Sequence, residues 1–531
     1  MNSKLSVPVY PFITDYISHY AQKTPENEAL VFNADRLSYS TFWGLVSQCA
    51  KALLASNVKK GDRVAMLCTT RLEYWVLFLA STHIGAVWMG LNPKYRLQEM
   101  QYLVSDAKPK LLFAMASFEQ DHYGKNIAIV CEQYGFIEQL IALTGELSNS
   151  QSYKAFLALG NSVSDAALAE QHARVDTMDP ALLVYTSGST GKPKGALLSH
   201  HGLTFGSRVG SEHLDLEQPR TLCTFPINHV ACVADTCCVN LVAGGTLVLQ
   251  ERFDPKSVLR AVSNEGLTLL SGVPTMLLML LEHPDFEQTD FGSLELILWG
   301  GAAMPVDAIK RLQKLAPRLI NVYGLTETAA NTTYTSPEAD LIELSETIGR
   351  PSPHMPCRIV DEMGKSCVEG EQGELQFKGD YLLLKYLNRP DATRDVYTEE
   401  GWLHTGDLAY WRDNGTITLV GRLSEMFKSG GYNVYPREVE DVLENHPSID
   451  MAAVVSVPDS RFQEVGVAFV RVKPLGGVDS EDLRKFCKEQ LANYKVPKHF
   501  HVVTELPILP VGKIDKVSLK KTALESLKEK R

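Results

Sequence analysis

The sequence lacks the features that mark a secreted or membrane-spanning chain. Its ten cysteines are scattered and form no C-x-x-C pair, which favours free thiols in a reducing compartment over disulfides or a zinc site. No apolar run reaches the eighteen or so residues of a transmembrane helix. Two prolines and an aspartate interrupt the first residues, where a signal peptide would lie. We therefore expect a cytoplasmic protein.

Acidic residues outnumber basic ones in this chain. Among its 531 residues, 63 are acidic and 52 are lysine or arginine, so the formal net charge is −11. This balance disfavours nucleic-acid binding and a strongly basic membrane face. The lysine-rich tail at 520–531 allows peripheral membrane contact at most. A chain of this length also predicts two or more domains rather than one core.

One segment concentrates cations and hydroxyl groups. Residues 185–195 read YTSGSTGKPKG, directly after the apolar run 181–184, which predicts a buried strand. Glycines let backbone N–H groups approach an oxyanion, while hydroxyls and lysines add donors and charge. A solvated surface turn seldom combines this composition with a buried strand. The segment predicts a phosphate-binding loop made of Thr186, Ser187, Gly188, Ser189, Thr190, Gly191, Lys192 and Lys194.

This loop differs from the common nucleotide-binding motif. A Walker A sequence continues from Gly-Lys into Ser or Thr, whose hydroxyl reaches magnesium at the start of a helix. Here Lys192 is followed by Pro193. Proline has no N–H to donate and biases the preceding residue away from helical geometry. A kinase-like or GTPase-like interpretation therefore loses its main support.

The same residues resemble the signature loop of the acyl-adenylate-forming (AMP-binding) superfamily. That superfamily includes acyl-CoA synthetases, peptide-synthetase adenylation domains and firefly luciferase. Four further motifs follow in the superfamily's order: NVYGLTE at 321–327, WLHTGD at 402–407, GR at 421–422 and LPILPVGKI at 506–514. The resemblance spans nearly the whole chain and is closest to the acyl-CoA synthetase, or fatty-acid-CoA ligase, branch.

The predicted fold class is α/β. Strand and helix patterns alternate through the first 350 residues, which favours parallel sheets with helices on their faces. Residues 145–178 are polar and predict an irregular surface connection. With the resemblance, we expect an N-terminal AMP-binding domain at 1–423, with parallel-sheet subdomains and a small β-barrel-like part. A small, mobile α+β C-terminal domain is expected at 424–531.

The resemblance also implies roles for individual residues around ATP. Tyr323 would offer a flat face to the adenine ring, and Asp407 and Arg422 would hold the ribose, since a carboxylate accepts from both vicinal hydroxyls. Thr326 would bind the α-phosphate, and Glu327 would bind Mg2+ through a hard oxygen. The remaining cofactor-binding positions are Gly301, Ala302, Asn321 and Gly324.

In the family that this chain resembles, a lysine near the C-terminus is catalytic, and Lys513 stands at that position. It would bridge the substrate carboxylate and the α-phosphate while the acyl-adenylate forms. The C-terminal domain then rotates, and Lys428, Gly430 and Gly431 would line the pantetheine tunnel for coenzyme A. The second residue after the Gly-Arg pair is usually Asp or Lys in the family, but here it is Ser424.

Residues around 229 bear on the choice of acid. His229 occupies the gating aromatic position of acyl-CoA synthetases. Val230 replaces the Asp that anchors an amino group in peptide synthetases, which disfavours an α-amino acid. An apolar acyl pocket, suited to fatty, aromatic, alicyclic or steroid acids, is predicted from Cys232, Val233, Cys237, Cys238 and Trp299. Asp235 is either exposed to solvent or an acceptor for a hydroxyl of an oxidised substrate.

The expected activity is that of an ATP-dependent acid:CoA ligase using ATP, Mg2+ and coenzyme A. Three alternatives stay open at this point: an enzyme that loads a carrier-protein thiol, a luciferase-like oxidase, and a nucleotide-binding regulator without catalysis. A homodimer is also left open.

Overall fold

A computed structural model describes residues 7–186, 193–473, 477–509 and 513–529. Its strands, in chain order, are β1 (Glu28–Phe32), β2 (Asp35–Ser38), β3 (Arg63–Leu67), β4 (Val87–Leu91), β5 (Leu111–Met115), β6 (Ser117–Phe118), β7 (Asp121–His122), β8 (Gln139–Thr144), β9 (Gln151–Ser152), β10 (Pro180–Thr186), β11 (Lys194–Ser199), β12 (Arg220–Cys223), β13 (Thr246–Leu249), β14 (Leu269–Gly272), β15 (Leu296–Gly300), β16 (Arg318–Gly324), β17 (Asn331–Tyr334), β18 (Arg350–Pro351), β19 (Cys357–Val360), β20 (Gly373–Phe377), β21 (Lys385–Tyr386), β22 (Leu403–Trp411), β23 (Ile417–Arg422), β24 (Phe427–Ser429), β25 (Tyr432–Val434), β26 (Ile449–Asp459), β27 (Gln463–Val472) and β28 (His499–Val503).

The α-helices, in chain order, are α1 (Ile13–Lys23), α2 (Tyr39–Ala55), α3 (Leu72–His83), α4 (Leu97–Ala107), α5 (Gly124–Gln133), α6 (Tyr153–Leu159), α7 (Asp165–His172), α8 (His200–Leu214), α9 (Val239–Val242), α10 (Pro255–Glu265), α11 (Pro274–Leu281), α12 (Val306–Leu312), α13 (Leu341–Glu346), α14 (Pro390–Asp395), α15 (Pro436–Glu444), α16 (Ser480–Gln490) and α17 (Lys516–Glu529). A π-helix at Ala231–Cys238 runs directly into α9. Such i→i+5 turns are rare and are often found at functional sites.

Two large sheets form the N-terminal body. The first has nine strands in the order β18-β17-β16-β15-β14-β12-β13-β1-β2, and the second has eight in the order β21-β11-β10-β4-β3-β5-β8-β9. The central pairs of both sheets are parallel, whereas β2, β17 and β18 of the first and β11 and β21 of the second pair antiparallel. The predicted parallel-sheet α/β architecture is confirmed.

The central strands are continuous apolar runs because helices cover both faces of a parallel sheet. All five residues of β4 and of β5 are buried. The largest apolar cluster joins the two sheets, since it contains Leu30 and Leu247 of the first sheet and Val64 and Leu182 of the second. The two sheets are therefore halves of one body rather than independent units.

Beyond residue 350 the strands pair antiparallel. A four-stranded sheet, β19-β20-β22-β23, stands where a small β-barrel-like part was expected. After Arg422 a separate sheet forms from β25, β24, β27, β26 and β28, with helices α15, α16 and α17 around it. This small C-terminal domain has apolar clusters of its own, around Val454 and Phe469. The predicted boundary at 423/424 falls in the connection between β23 and β24.

Short polar side chains cap two of the helices. Ser38 caps α2 by accepting a hydrogen bond from the Thr41 amide, and Asp479 caps α16 by accepting from the Glu481 and Asp482 amides. The irregular connection expected at 145–178 is wrong, because α6 and α7 lie there. Both are short helices started by serine caps, at Ser152 and Ser164, and with 7 and 8 residues they are too short to show a sustained apolar periodicity.

Among the described residues, the helices are too short or too polar to cross a lipid bilayer.

Candidate active site

Lys513 of the C-terminal domain lies against the end of a strand in the N-terminal body. Its carbonyl accepts a hydrogen bond of 2.7 Å from the Leu509 amide, beside an antiparallel bridge between Ile508 and Ile514. Its side chain extends to Gly301, directly after β15. A Cβ atom at Gly301 would lie 3.2 Å from Cε of Lys513, and Gly301 has a φ of +85°. Glycine at 301 therefore suits both the backbone conformation and the approach of the lysine.

A buried carboxylate lies in the same cleft. Asp407 is 4% exposed, and Tyr323 donates a hydrogen bond of 2.6 Å to its Oδ2. Nε of Arg422 is 3.0 Å from Oδ1. Burial raises the pKa of Asp407, while Arg422, the Tyr323 hydroxyl and Lys513 oppose that rise. The cations around Asp407 thus favour its ionised form against the cost of burial.

The antiparallel sheet fixes this carboxylate. Asp407 on β22 pairs directly with Arg422 on β23, so the two side chains meet because of strand register. The Asp407 amide donates to the Thr405 hydroxyl at 3.0 Å, and the Gly406 amide donates to Oε1 of Glu374 at 3.0 Å. The other carboxylate oxygen of Glu374 is 2.6 Å from His404. Glu374 and His404 therefore hold the turn, and sequence reasoning missed both.

His229 joins the group around Lys513. Its Nδ1 accepts a hydrogen bond of 3.2 Å from the Ala231 amide, so the proton of the neutral ring is on Nε2. Burial, together with the charge of Lys513, lowers the pKa of His229 to about 4. The pKa of Lys513 is itself lowered, mainly because surrounding protein desolvates its ammonium and because Arg422 repels it. His229 is thus a neutral group beside a destabilised cation.

A second set of side chains surrounds Glu327, in the 3-10 turn Thr326–Thr328 that follows β16. Tyr386 donates a hydrogen bond of 2.6 Å to Oε1 of Glu327. Nζ of Lys194 lies 4.5 Å from the centre of the Tyr386 ring, a cation–π contact. Burial and the neighbouring Glu327 charge raise the pKa of Tyr386, which keeps its hydroxyl a donor. The pKa of Arg422 is raised chiefly by Asp407 and to a smaller extent by Glu327, which links the two sets.

Tyr386 was not predicted, and no local signal marks it. It lies on β21, which pairs antiparallel with β11, almost two hundred residues earlier in the chain. Only this pairing, which puts Ala196 opposite Tyr386, brings the phenol under Lys194.

The two ends of the predicted phosphate-binding loop are held in register. Thr186 closes β10 and Lys194 opens β11, and the two residues are directly paired. The Thr186 hydroxyl donates to the Lys194 carbonyl at 3.5 Å. The loop positions between them, Ser187, Gly188, Ser189, Thr190, Gly191 and Lys192, lie outside the described residues. The paired ends of this hairpin thus lie beside Tyr386 and Glu327.

Other predicted positions differ in their surroundings. Asn321 is 6% exposed, and its side-chain amide donates to the Thr347 carbonyl at 2.8 Å, so this donor is already used within the protein. A Cβ atom at Gly324 would lie 2.5 Å from the Ala330 carbonyl oxygen, so glycine there allows β17 to approach. Ala302 is exposed beside Gly301, and Thr326 is partly buried beside Glu327.

The segment predicted to line a thiol tunnel is an exposed hairpin of the C-terminal domain. Lys428 lies on β24, and the turn to β25 is made by Gly430 and Gly431, with φ of +59° and +87°. The Gly430 amide donates to the Phe462 carbonyl at 2.9 Å. Side-chain space at Gly431 is open, since a Cβ atom there would have no heavy atom of the described residues within 4 Å. The structure does not bring this hairpin into the group around Lys513.

The predicted apolar acyl pocket is wrong in its composition. Trp299 is fully buried in the core on the opposite face of β15 from Leu298, packed with Ile297 and Leu270. Cys232 and Cys237 face Tyr74, with sulfur–oxygen distances of 3.4 and 3.6 Å. Cys238 and Val233 belong to the same core cluster as those two cysteines. The prediction for the two cysteines, Cys238 and Val233 failed because a π-helix changes which side chains share a face.

The described residues thus form an α/β body and a small C-terminal domain, and Lys513 of that domain lies in one cleft with the buried carboxylate of Asp407. Comparison with protein families gives the particular class. The model of the AMP-binding enzyme family matches residues 17–387, and that of the AMP-binding enzyme C-terminal domain matches 438–513. The chain belongs to the AMP-binding enzyme family.

Individual relatives agree with this assignment. The chain is 33% identical to a feruloyl-CoA synthase of Amycolatopsis, over 93% of this chain and 95% of the relative. It is 30% identical to the mitochondrial medium-chain acyl-CoA ligase ACSF2 of the rat, over 96% and 87%. Among solved structures, ATP-bound MatB from Rhodopseudomonas palustris superposes with a TM-score of 0.82 at 27% identity, covering 96% of this chain and 98% of MatB.

Proposed function

We propose that this protein is an AMP-forming acid:CoA ligase that converts a carboxylate, ATP and coenzyme A into an acyl-CoA, AMP and pyrophosphate. The observation that carries the proposal is the convergence of Lys513, Gly301 and Asp407 in one cleft. The names of the relatives, a feruloyl-CoA synthase and a medium-chain acyl-CoA ligase, support a CoA ligase over an enzyme that loads a carrier protein.

The nucleotide has a defined set of partners in this proposal. Asp407 accepts from the ribose hydroxyls, and Arg422, already 3.0 Å from that carboxylate, contacts the same sugar. The Tyr323 hydroxyl donates to Asp407, so this tyrosine fixes the carboxylate, and its ring is left to contact the adenine. MatB, with ATP bound, supports a nucleotide site in this fold. Asn321, Gly324 and Ala302 shape the surrounding backbone.

The residues around Glu327 fit a magnesium ion bound with ATP. Tyr386 holds Oε1 of this carboxylate, which leaves Oε2 as a hard oxygen ligand of the kind that Mg2+ prefers. When bound, Mg2+ would neutralise charge on the phosphate oxygens. Lys194 and the hydroxyls from Thr186 onward bind the β- and γ-phosphates, and Thr326 donates to the α-phosphate. These cations offset the overall negative charge of the chain at the place where the anionic nucleotide binds.

In the first half-reaction a carboxylate oxygen of the acid attacks the α-phosphorus. The bond from that phosphorus to the bridging oxygen breaks, and pyrophosphate leaves with the bonding electrons. Lys513 contacts both anions and lowers the cost of bringing them together, which is the main task in phosphoryl-transfer chemistry. Its lowered pKa reflects an ammonium held where it lacks a strong counter-ion, and the incoming carboxylate supplies one. His229 borders the acyl group as a neutral ring.

In the second half-reaction the sulfur of coenzyme A attacks the acyl carbon. The bond from that carbon to the adenylate oxygen breaks, AMP leaves, and the thiol proton is released to solvent. Lys513 occupies the cleft in the present arrangement, so thiol entry requires the C-terminal domain to move. We propose that this movement, around Ser424, replaces Lys513 by the hairpin with Lys428, Gly430 and Gly431.

The deciding experiment is a panel of carboxylic acids assayed for AMP release that depends on ATP, Mg2+ and coenzyme A. We expect AMP and pyrophosphate in equal amounts, with an acyl-CoA product identified by mass. Release of ADP and orthophosphate, or no turnover with any acid, would overturn the proposed function.

A further inference from the structure

A small cavity in the N-terminal body is lined by both apolar and polar side chains. Its volume is about 20 Å³, enough for one water-sized group. Several elements meet at it: α8 supplies Ser211, β12 supplies Thr221, the π-helix supplies Asp235, and β14 and β15 supply Ser271 and Leu298. The π-helix thus turns an acidic residue toward this space while its cysteines face the core on the other side.

The polar groups at this cavity are incompletely paired. Within the described residues, neither Oγ of Ser211 nor Oγ of Ser271 has a hydrogen-bond partner, although Ser211 is 2% exposed. The Asp235 carboxyl receives the backbone amide of Asn331, and burial raises its pKa to about 7. Thr221 differs, because its hydroxyl already accepts from Asn240 at 2.9 Å. A buried hydroxyl without a partner costs on the order of 1–3 kcal/mol, so two of them beside the half-buried carboxyl of Asp235 call for a ligand.

The cavity is also lined by two strands that end near Lys513. Ser271 is directly paired with Leu298, so both side chains project from the same face of the sheet as Gly300, two residues further along β15. Val273, two residues after Ser271, lies 3.9 Å from a Cβ position at Gly301, and Nζ of Lys513 lies 3.8 Å from the same position. The cavity residues Ser271 and Leu298 therefore belong to the two strands whose carboxyl ends, at Val273 and Gly301, approach Lys513.

We propose that this cavity binds a hydroxyl group of the acyl substrate, so that the preferred acid is a hydroxy acid whose hydroxyl is remote from the carboxylate. The inference rests on the proposed function and names its substrate class. A hydroxyl donates one hydrogen bond and accepts others, which matches an acceptor at Asp235 and donors at Ser211 and Ser271. It chooses, of the two roles that the sequence left open for Asp235, that of an acceptor for a hydroxyl of the acid. The alternative occupant is one bound water that closes the end of an apolar pocket.

The test compares matched acids in pyrophosphate exchange and in AMP release. Straight-chain and phenyl-alkyl acids are each paired with the acid of equal length that carries a remote hydroxyl, and with the corresponding amino acid bearing a remote amine. The wild type should favour the hydroxy acid by roughly tenfold or more in kcat/KM, because a site with buried polar groups rejects an analogue that cannot pair them.

Two variants locate the preference in the cavity. Asp235→Leu and Ser271→Ala should each bring the ratio of hydroxy to unsubstituted acid toward one, mainly through KM, while kcat/KM for unsubstituted acids changes little. Ser271→Ala removes a single oxygen and keeps the test valid if Asp235→Leu does not fold. Ser207→Ala is the matched control, since it removes a buried hydroxyl of α8 that does not line the cavity.

The outcomes separate this inference from the proposed function. A wild-type preference for unsubstituted or amine-bearing acids, or a ratio that the variants leave unchanged, overturns the hydroxyl subsite while the ligase activity stands. Failure of every acid to release AMP overturns both.

Discussion

The N-terminal body and the C-terminal domain hold their functional side chains in different ways. In the body, Asp407 and Tyr323 are less than a tenth exposed and are fixed by strand register and by hydrogen bonds to their neighbours. In the C-terminal domain, Lys513 and the turn at Gly430–Gly431 are exposed at the domain surface. The body thus fixes its side chains by internal contacts, whereas in the proposed mechanism the smaller domain carries the groups that are exchanged.

The contact between the two parts fits this division. Lys473 and Asp307 form an ion pair of 3.9 Å across it, with both side chains exposed. Exposed pairs of this kind contribute about 0–1 kcal/mol. Each part also has its own apolar core, so separating them does not expose a shared one. In the proposed mechanism, this difference lets a fixed nucleotide site serve both half-reactions while the exchanged groups lie on a separately folded domain.

The largest effect is expected from removing Lys513 of the C-terminal domain. Lys513→Ala should slow adenylate formation by ~10²–10³, because it removes one preorganised cation from the meeting of two anions. Thioester formation from supplied acyl-AMP should be nearly unchanged, since the lysine has left the cleft by then. Pyrophosphate exchange and single-turnover thioester assays measure the two steps. Lys521→Ala, which removes an exposed lysine of α17, is the control for charge, and equal loss in both steps would contradict the exchange of groups.

The next largest effect is expected from changing Asp407 in the N-terminal body. Asp407→Asn should weaken ATP binding by about 10- to 100-fold, because hydrogen bonds to a charged group contribute about 1.5–3 kcal/mol. Unlike Lys513→Ala, it should impair both half-reactions, since the adenylate is held by the same ribose contacts. Calorimetric titration with ATP measures the affinity, and Asp413→Asn, in the exposed turn of the same β-hairpin, is the control. Unchanged ATP affinity would remove Asp407 from the nucleotide site.

The same division shows which parts of the site a sequence can predict. Lys513, Asp407, Arg422 and Glu327 stand in short motifs whose order survives in the chain, and the structure brings them into one cleft. These predictions depend on residues close together in sequence or on a motif whose setting is known.

What the sequence could not show depends on long-range pairing. Tyr386 reaches Glu327 only because β21 pairs with β11, and Glu374 supports the turn before Asp407 only because β20 pairs with β22. Trp299 was assigned to the wrong face, since alternation along a buried strand of apolar residues does not reveal which face is the core. Asp235 was left open, because its direction depends on a π-helix that periodicity does not indicate.

A smaller effect is expected from changing Tyr386, the hydrogen-bond partner of Glu327 in the N-terminal body. Tyr386→Phe should raise the Mg2+ concentration needed for half-maximal exchange by about tenfold, because a partner that orients a metal-binding carboxylate is lost. Magnesium titrations at fixed ATP measure this shift. Tyr397→Phe, which loses a hydrogen bond to the nearby Leu383 carbonyl instead, gives the baseline for removing a phenol hydroxyl. An identical magnesium dependence in the two variants would show that Tyr386 only packs.

The smallest effect is expected from changing Gly431, in the exposed turn between β24 and β25. Gly431→Leu should slow thioester formation several-fold and leave pyrophosphate exchange intact, because a side chain in the open space at this turn would meet the incoming thiol only after the domain has moved. Its φ of +87° makes any side chain strained by about 1 kcal/mol, so the free energy of unfolding must be measured as well. Gly364→Leu, at a turn of the body with a φ of +77° and equal space, carries the same backbone strain far from the thiol. If both variants slow thioester formation alike, strain rather than obstruction is the cause, and the hairpin loses its place in the second half-reaction.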